Sequence, residues 1–162
     1  MFGFLKRNKL KTEIITAPVT GNLINITAVQ DDVFSEKMMG DGFAVIPNEG
    51  NVFAPVVGKI TTIFPTQHAI GIKTAFGLEV LVHMGLDTVE LEGKPFKTLV
   101  HEDDTVTAET QLVEMDVEQV KKLGKDPTVV IIFTNMDQII SLPEINKHQV
   151  THGIELGMLT LK

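Results

Sequence analysis

The chain has 162 residues, 43% of them hydrophobic, and carries a formal net charge of −7 with no Cys, Trp or Tyr. That length fits one domain with a sizeable core, and the missing cysteine excludes a disulfide framework or thiolate zinc site and agrees with a reducing, cytoplasmic setting. An acidic chain without a basic stripe is not expected to bind nucleic acid, and no apolar run reaches the roughly 18–20 residues of a membrane span.

Residues 1–12 read as a flexible tail. The stretch Met1 to Lys11 lacks the long apolar run of a signal peptide. It mixes Phe2, Phe4 and Leu5 with Lys6, Arg7, Lys9 and Lys11, so peripheral contact with anionic lipid is the alternative reading. Residues 13–162 read as a single domain. Strand patterns follow at Glu13–Thr16, Leu23–Ala28, Gly42–Ile46, Asn51–Ala54, Gly58–Phe64, Ala69–Thr74, Glu79–Val82, Gln111–Glu114, Val129–Thr134, Gln138–Ser141 and Glu155–Leu161. Most are short and rich in Ile, Val, Thr and Phe, with Gly, Pro, Asn or Asp between many of them. The pattern predicts an all-β fold, an antiparallel β-sandwich or barrel of jelly-roll-like form. One or two short helices are expected. Asp116–Leu123 opens on a carboxylate, carries Lys121 and Lys122 near its end and stops at Gly124, and Phe34–Met39 before Gly40 has room for one helical turn.

Two histidines flank one predicted hairpin. His68 precedes Ile70-Gly71-Ile72-Lys73-Thr74, and His83 follows Leu78-Glu79-Val80-Leu81-Val82, with Ala75-Phe76-Gly77 between the runs. If the strands pair symmetrically about Ala75 and Phe76, residue 68 falls opposite residue 83. Opposed Cβ atoms in a sheet lie about 4.5–5.5 Å apart, so the two rings are expected on one face. A slip of one residue puts them on opposite faces. A neutral imidazole can attack phosphorus, and a second one beside it can hydrogen-bond the phosphoryl oxygens.

Several blocks resemble the glucose-type enzyme IIA component of the bacterial phosphoenolpyruvate:sugar phosphotransferase system. They are Asp31 to Gly42, Ala54-Pro55-Val56-Val57-Gly58, Phe64-Pro65-Thr66-Gln67-His68-Ala69, Val82 to Gly93 and Thr134-Asn135-Met136. The resemblance implies a protein-histidine phosphocarrier, a transferase component. His83 matches the phosphorylated histidine, the small carrier HPr is the donor, and a cysteine on the IIB domain of a sugar permease is the acceptor. His68 matches an accessory histidine needed for onward transfer, and Thr66 a hydroxyl that orients it. Asp31 and Asp87 match carboxylates at the rim where partner arginines dock, and Val33, Phe34, Phe64 and Val89 match an apolar apron. It also implies regulatory binding to permeases or kinases according to phosphorylation state. With no IIB segment in the sequence, the permease is expected to be met in trans. No cofactor is required. The segment Val100 to Thr105, the C-terminal His148 and His152, and Leu81 depart from the family pattern.

Plainer readings stand beside these. Asp31 or Asp32 can cap the following turn, Met38 and Met39 read as core fillers, and Glu90 and Glu92 as a solvated face. His101, His148 and His152 have no expected role. A competing class is a metalloenzyme: His83-Met84-Gly85-Leu86-Asp87 has the His-x-x-x-Asp spacing of lysostaphin-type zinc endopeptidases. Those also need a His-x-His, which this chain lacks. Zinc held by His68 and His83 with a partner carboxylate or water is the remaining form of that reading.

Overall fold

The computed structural model describes residues 10–162. The expected tail therefore falls mainly outside the described residues, and its last two positions are already in a strand. The strands in chain order are β1 (Lys11–Thr16), β2 (Gly21–Asn25), β3 (Gly42–Pro47), β4 (Asn51–Phe53), β5 (Gly58–Ile63), β6 (Ala69–Lys73) and β7 (Glu79–Leu86). They continue with β8 (Phe96–Thr98), β9 (Thr105–Val106), β10 (Gln111–Met115), β11 (Asp126–Phe133), β12 (Ile139–Ser141), β13 (His148–Val150) and β14 (Glu155–Leu161). Among the described residues there are two short α-helices, α1 (Asp32–Ser35) and α2 (Val117–Lys122).

All strand pairings are antiparallel. One sheet has eight strands in the order β13-β2-β3-β11-β7-β6-β5-β9, and two smaller sheets run β1-β14-β12 and β4-β10-β8. The expected antiparallel β-sandwich is what forms. The main core joins all three sheets: Val80, Val82, Met84, Val129, Ile131 and Phe133 of the large sheet pack with Ile15, Leu112, Val113 and Leu159 of the small ones. On the other face of the large sheet, Ala69, Leu81, Leu86, Val130 and Ile132 form a second cluster under Ile26, Val29 and Phe34. Strands β7 and β11 are thus buried on both faces. That explains why their sequences are nearly continuous apolar runs and not strict alternations.

Several boundaries differ from the sequence expectation for local reasons. The run Leu23–Ala28 leaves the sheet at Asn25, whose Oδ1 accepts from Thr27 N and Oγ1 and closes a 3-10 turn over Ile26–Ala28. Helix α1 begins at Asp32, because Asp31 Oδ1 caps it by accepting from Val33 N at 2.9 Å, and it stops before Lys37, which is left-handed at φ 58°. Met38 and Met39, read as core fillers, are exposed beyond this break. Helix α2 agrees with its signals: Asp116 Oδ1 accepts from Gln119 N at 3.0 Å, and Gly124 stands at φ 81°. Strands β8, β9 and β13 are too short to show a period in sequence. Among the described residues no helix is long and apolar enough to cross a membrane.

Candidate functional site

The hairpin that carries the histidines is not centred where the sequence suggested. Thr74 N donates to Leu78 O at 2.9 Å and Gly77 N to Thr74 O at 3.0 Å, so the loop is Ala75, Phe76 and Gly77, with Gly77 left-handed at φ 92°. The added loop residue slips the ladder by one. Ala69, not His68, pairs with His83. The expected opposition of residues 68 and 83 is therefore corrected, yet the consequence attached to such a slip does not follow. His68 lies just outside β6, and its ring stands edge-on to that of His83 with centroids 5.1 Å apart and planes at 77°.

His83 sits in the second half of β7, held by β6 on one side and by Val130 of β11 on the other. The expected strand ended at Val82, but this double pairing carries it on to Leu86. Phe34, itself buried, packs on the His83 ring with centroids 4.9 Å apart. His83 Nδ1 is 2.8 Å from the carbonyl oxygen of Gly85. That oxygen can only accept, so Nδ1 carries the proton and Nε2 keeps its lone pair. Burial pushes the His83 pKa down to about 4, helped by the neighbouring His68, while the Gly85 hydrogen bond, Asp31 and Asp87 work against the shift. Burial also lowers the pKa of His68. Both rings are consequently neutral at pH 7.

The turn beyond His83 is tightly specified. Gly85 has φ 85°, and a Cβ there would stand 2.3 Å from Thr88 Cγ2. Thr88 is fully buried and its hydroxyl donates to Met84 O at 2.6 Å. Asp87 is left-handed at φ 57°, and its side chain makes no capping hydrogen bond to the 3-10 turn Thr88–Leu91. Its carboxylate is therefore free to face outward, whereas Asp31 combines its cap with a place at the same rim.

His68 is almost wholly buried, its Nδ1 2.6 Å from Thr66 Oγ1 and its ring in edge contact with Phe64 at 5.5 Å. Asp31, Val33, Phe34, Asp87 and Val89 line, with Met39, Thr88 and His83, a depression of about 200 Å³. The structure thus brings together every residue singled out for the site. Val33, Val89 and Phe64 are exposed, as an apron requires, but Phe34 is not part of an open surface: it is the packing wall of His83. Met39, Thr88 and Gly85 had been given no part in the site.

Among the described residues no group of three or more His, Cys, Asp and Glu is placed to hold a metal ion. A zinc site takes at least three protein ligands, and His68 and His83 supply two. In the remaining form of the zinc reading, a partner carboxylate or water completes the set. His101 lies 3.8 Å from Asp104, His148 bonds its own loop at Asn146 O, and His152 stacks on Phe53 at 3.9 Å, all three apart from the site.

An antiparallel β-sandwich bearing two neutral imidazoles, His68 buried and His83 half-buried, beside a shallow apolar depression defines a histidine-centred surface site. Residues 13–139 match the family described as phosphoenolpyruvate-dependent sugar phosphotransferase system, EIIA 1, and the chain belongs to that family. It is 40% identical to the PTS system glucose-specific EIIA component of Halalkalibacterium halodurans, over 100% of this chain and 96% of that protein. It is 42% identical to the corresponding component of Staphylococcus aureus, over 93% and 91%. A glucose-specific EIICBA component of Streptococcus pneumoniae is 49% identical over 81% of this chain, which there corresponds to 18% of a longer protein. Among solved structures, the glucose permease IIA from Mycoplasma capricolum superposes with a TM-score of 0.85 at 40% identity, covering 91% of this chain and 96% of that one.

Proposed function

We propose that this protein is a glucose-type EIIA phosphocarrier in which His83 receives a phosphoryl group from phospho-HPr and delivers it to a cysteine on the IIB domain of a sugar permease. The observation that carries the reading is the tautomer of His83. Its Nδ1–H is committed to the Gly85 carbonyl, so the free Nε2 lone pair is the nucleophile, and the lowered pKa keeps it unprotonated at pH 7.

In the first step His83 Nε2 attacks the donor phosphorus and the donor P–N bond breaks, its electron pair returning to the donor imidazole. In the second step a cysteine thiolate attacks, the P–Nε2 bond breaks and His83 is neutral again. Thr66 Oγ1 and His68 Nδ1 are hydrogen-bonded at 2.6 Å; with the hydroxyl as donor, His68 carries its proton on Nε2 and donates it in a hydrogen bond to a phosphoryl oxygen. The exposed Val33, Phe64 and Val89 seal the group from water when a partner docks, and Asp31 and Asp87 receive its basic side chains. Phosphorylation adds about two negative charges at this rim. It therefore changes which regulatory partners the same face accepts. In this reading the carrier works in the cytoplasm, where it meets HPr and the IIB domain.

The test is labelling by phosphoenolpyruvate, enzyme I and HPr. Wild-type protein takes the label and folded His83→Ala does not; full labelling of the variant overturns the assignment.

A further inference from the structure

The ladder register would carry residue 68 away from His83. With Ala69 opposite His83, a strand extended back by one residue sets position 68 opposite Met84, which belongs to the main core on the other face. The His68 ring nevertheless meets the His83 ring. The chain departs from strand geometry one residue earlier, at Gln67, which is left-handed at φ 59°. For a residue other than glycine that conformation is strained and persists only where the surroundings over-determine it.

The surroundings do so here. Gln67 N donates to Phe64 O at 2.7 Å, closing the Phe64–Gln67 turn. Its side chain reaches a strand of another sheet: Oε1 accepts from Thr98 Oγ1 at 2.8 Å and from Thr98 N at 3.4 Å. The loop also lies against Gly93, where a Cβ would stand 3.3 Å from Gln67 Nε2 and 3.5 Å from Thr66 O. The far side is fixed by Met84 N, which donates to His68 O at 2.7 Å. His68 and its Thr66 partner are thus strung between β7 and β8, and the Gln67 amide is the tie to β8.

We propose that Gln67 is a positioning residue for His68. Its left-handed backbone takes His68 out of the strand alternation, and its amide, clamped by Thr98, holds the Thr66–His68 pair over His83. The side-chain hydrogen bonds of Gln67 go to Thr98 and not to an imidazole; it acts through where His68 stands. The kinetic consequence rests on the onward-transfer role given to His68 above, whereas the placement itself does not.

The experiment compares wild type with Gln67→Gly, which keeps the left-handed backbone and removes the clamp, and with Thr98→Val, which removes the side-chain donor from the opposite end. Ring-nitrogen NMR follows the tautomer and titration of His68, and transfer assays separate acceptance from phospho-HPr and delivery to IIB. In both variants the His68 midpoint moves up towards the ordinary histidine value as the ring leaves its buried seat. Delivery falls on the order of tenfold while acceptance changes by less than about twofold. Unchanged His68 tautomer and titration in both folded variants overturns the proposal. A shifted His68 with normal delivery upholds the placement and removes His68 from the transfer step.

Discussion

The Nδ1 of His83 lies 2.8 Å from the carbonyl oxygen of Gly85, two residues further along the same strand. The contact exists because Gly85 turns its peptide at φ 85°, where a side chain would run into Thr88. Gly85→Ala should therefore cost about 1–3 kcal/mol from the left-handed backbone and the clash together, measured by urea unfolding. Phosphorylation of His83 should slow with it, because the tautomer loses its anchor. An alanine variant of wild-type stability and wild-type labelling rate contradicts this account of the turn.

The pH dependence has a definite sign. The His83 pKa is about 4 in the fold, against about 6.5 for a free histidine. Between those values the unfolded chain binds more protons, so stability rises with pH. The contribution is complete above about pH 6.5 and is lost as pH falls to about 4, up to about 3 kcal/mol in all. Unfolding free energies of wild type and His83→Gln should therefore have different slopes across this window, wild type being the steeper. Parallel curves count against a depressed His83.

Burial is the largest cause of that depression, and Phe34 is the side chain packed on the ring. Phe34→Ala should destabilise the protein by about 3–5 kcal/mol, as loss of a buried aromatic does. It should also raise the His83 titration midpoint, read from ring-proton NMR. Phe34→Leu keeps most of the volume and should raise it less. A midpoint indifferent to both changes would show that Phe34 does not desolvate His83.

His68→Gln removes the neighbouring ring that helps to lower the His83 pKa, so that pKa should rise. The variant should still accept the phosphoryl group and deliver it slowly, in the range of 10²–10⁴-fold for loss of a positioned proton donor. Rapid-quench transfer to IIB separates the two steps. Normal delivery contradicts the role given to His68.

The strands of the large sheet were legible because their side-chain composition is set by burial: Val129 to Phe133 is apolar on both faces and cannot be a surface segment. The two histidines and their partners were legible through local spacing and family resemblance. The hairpin register was not, because Ala75-Phe76-Gly77 reads equally as a two-residue or a three-residue loop until the hydrogen bonds of Thr74 are seen. Phe34 looked like surface because α1 is too short to show which face it buries. Thr88 and Gln67 were hidden for another reason: their contacts reach Met84 O and Thr98, and nothing in their own residue type announces a partner.

The most direct measurement is the position of the phosphoryl group on the protein after labelling through phospho-HPr, read by ³¹P and ¹⁵N NMR of the intact, folded chain. The geometry predicts a single phosphohistidine at His83 bonded through Nε2, with Nδ1 still protonated and hydrogen-bonded to Gly85 O. Phosphoryl bonded to Nδ1 of His83, or carried by His68, contradicts the account.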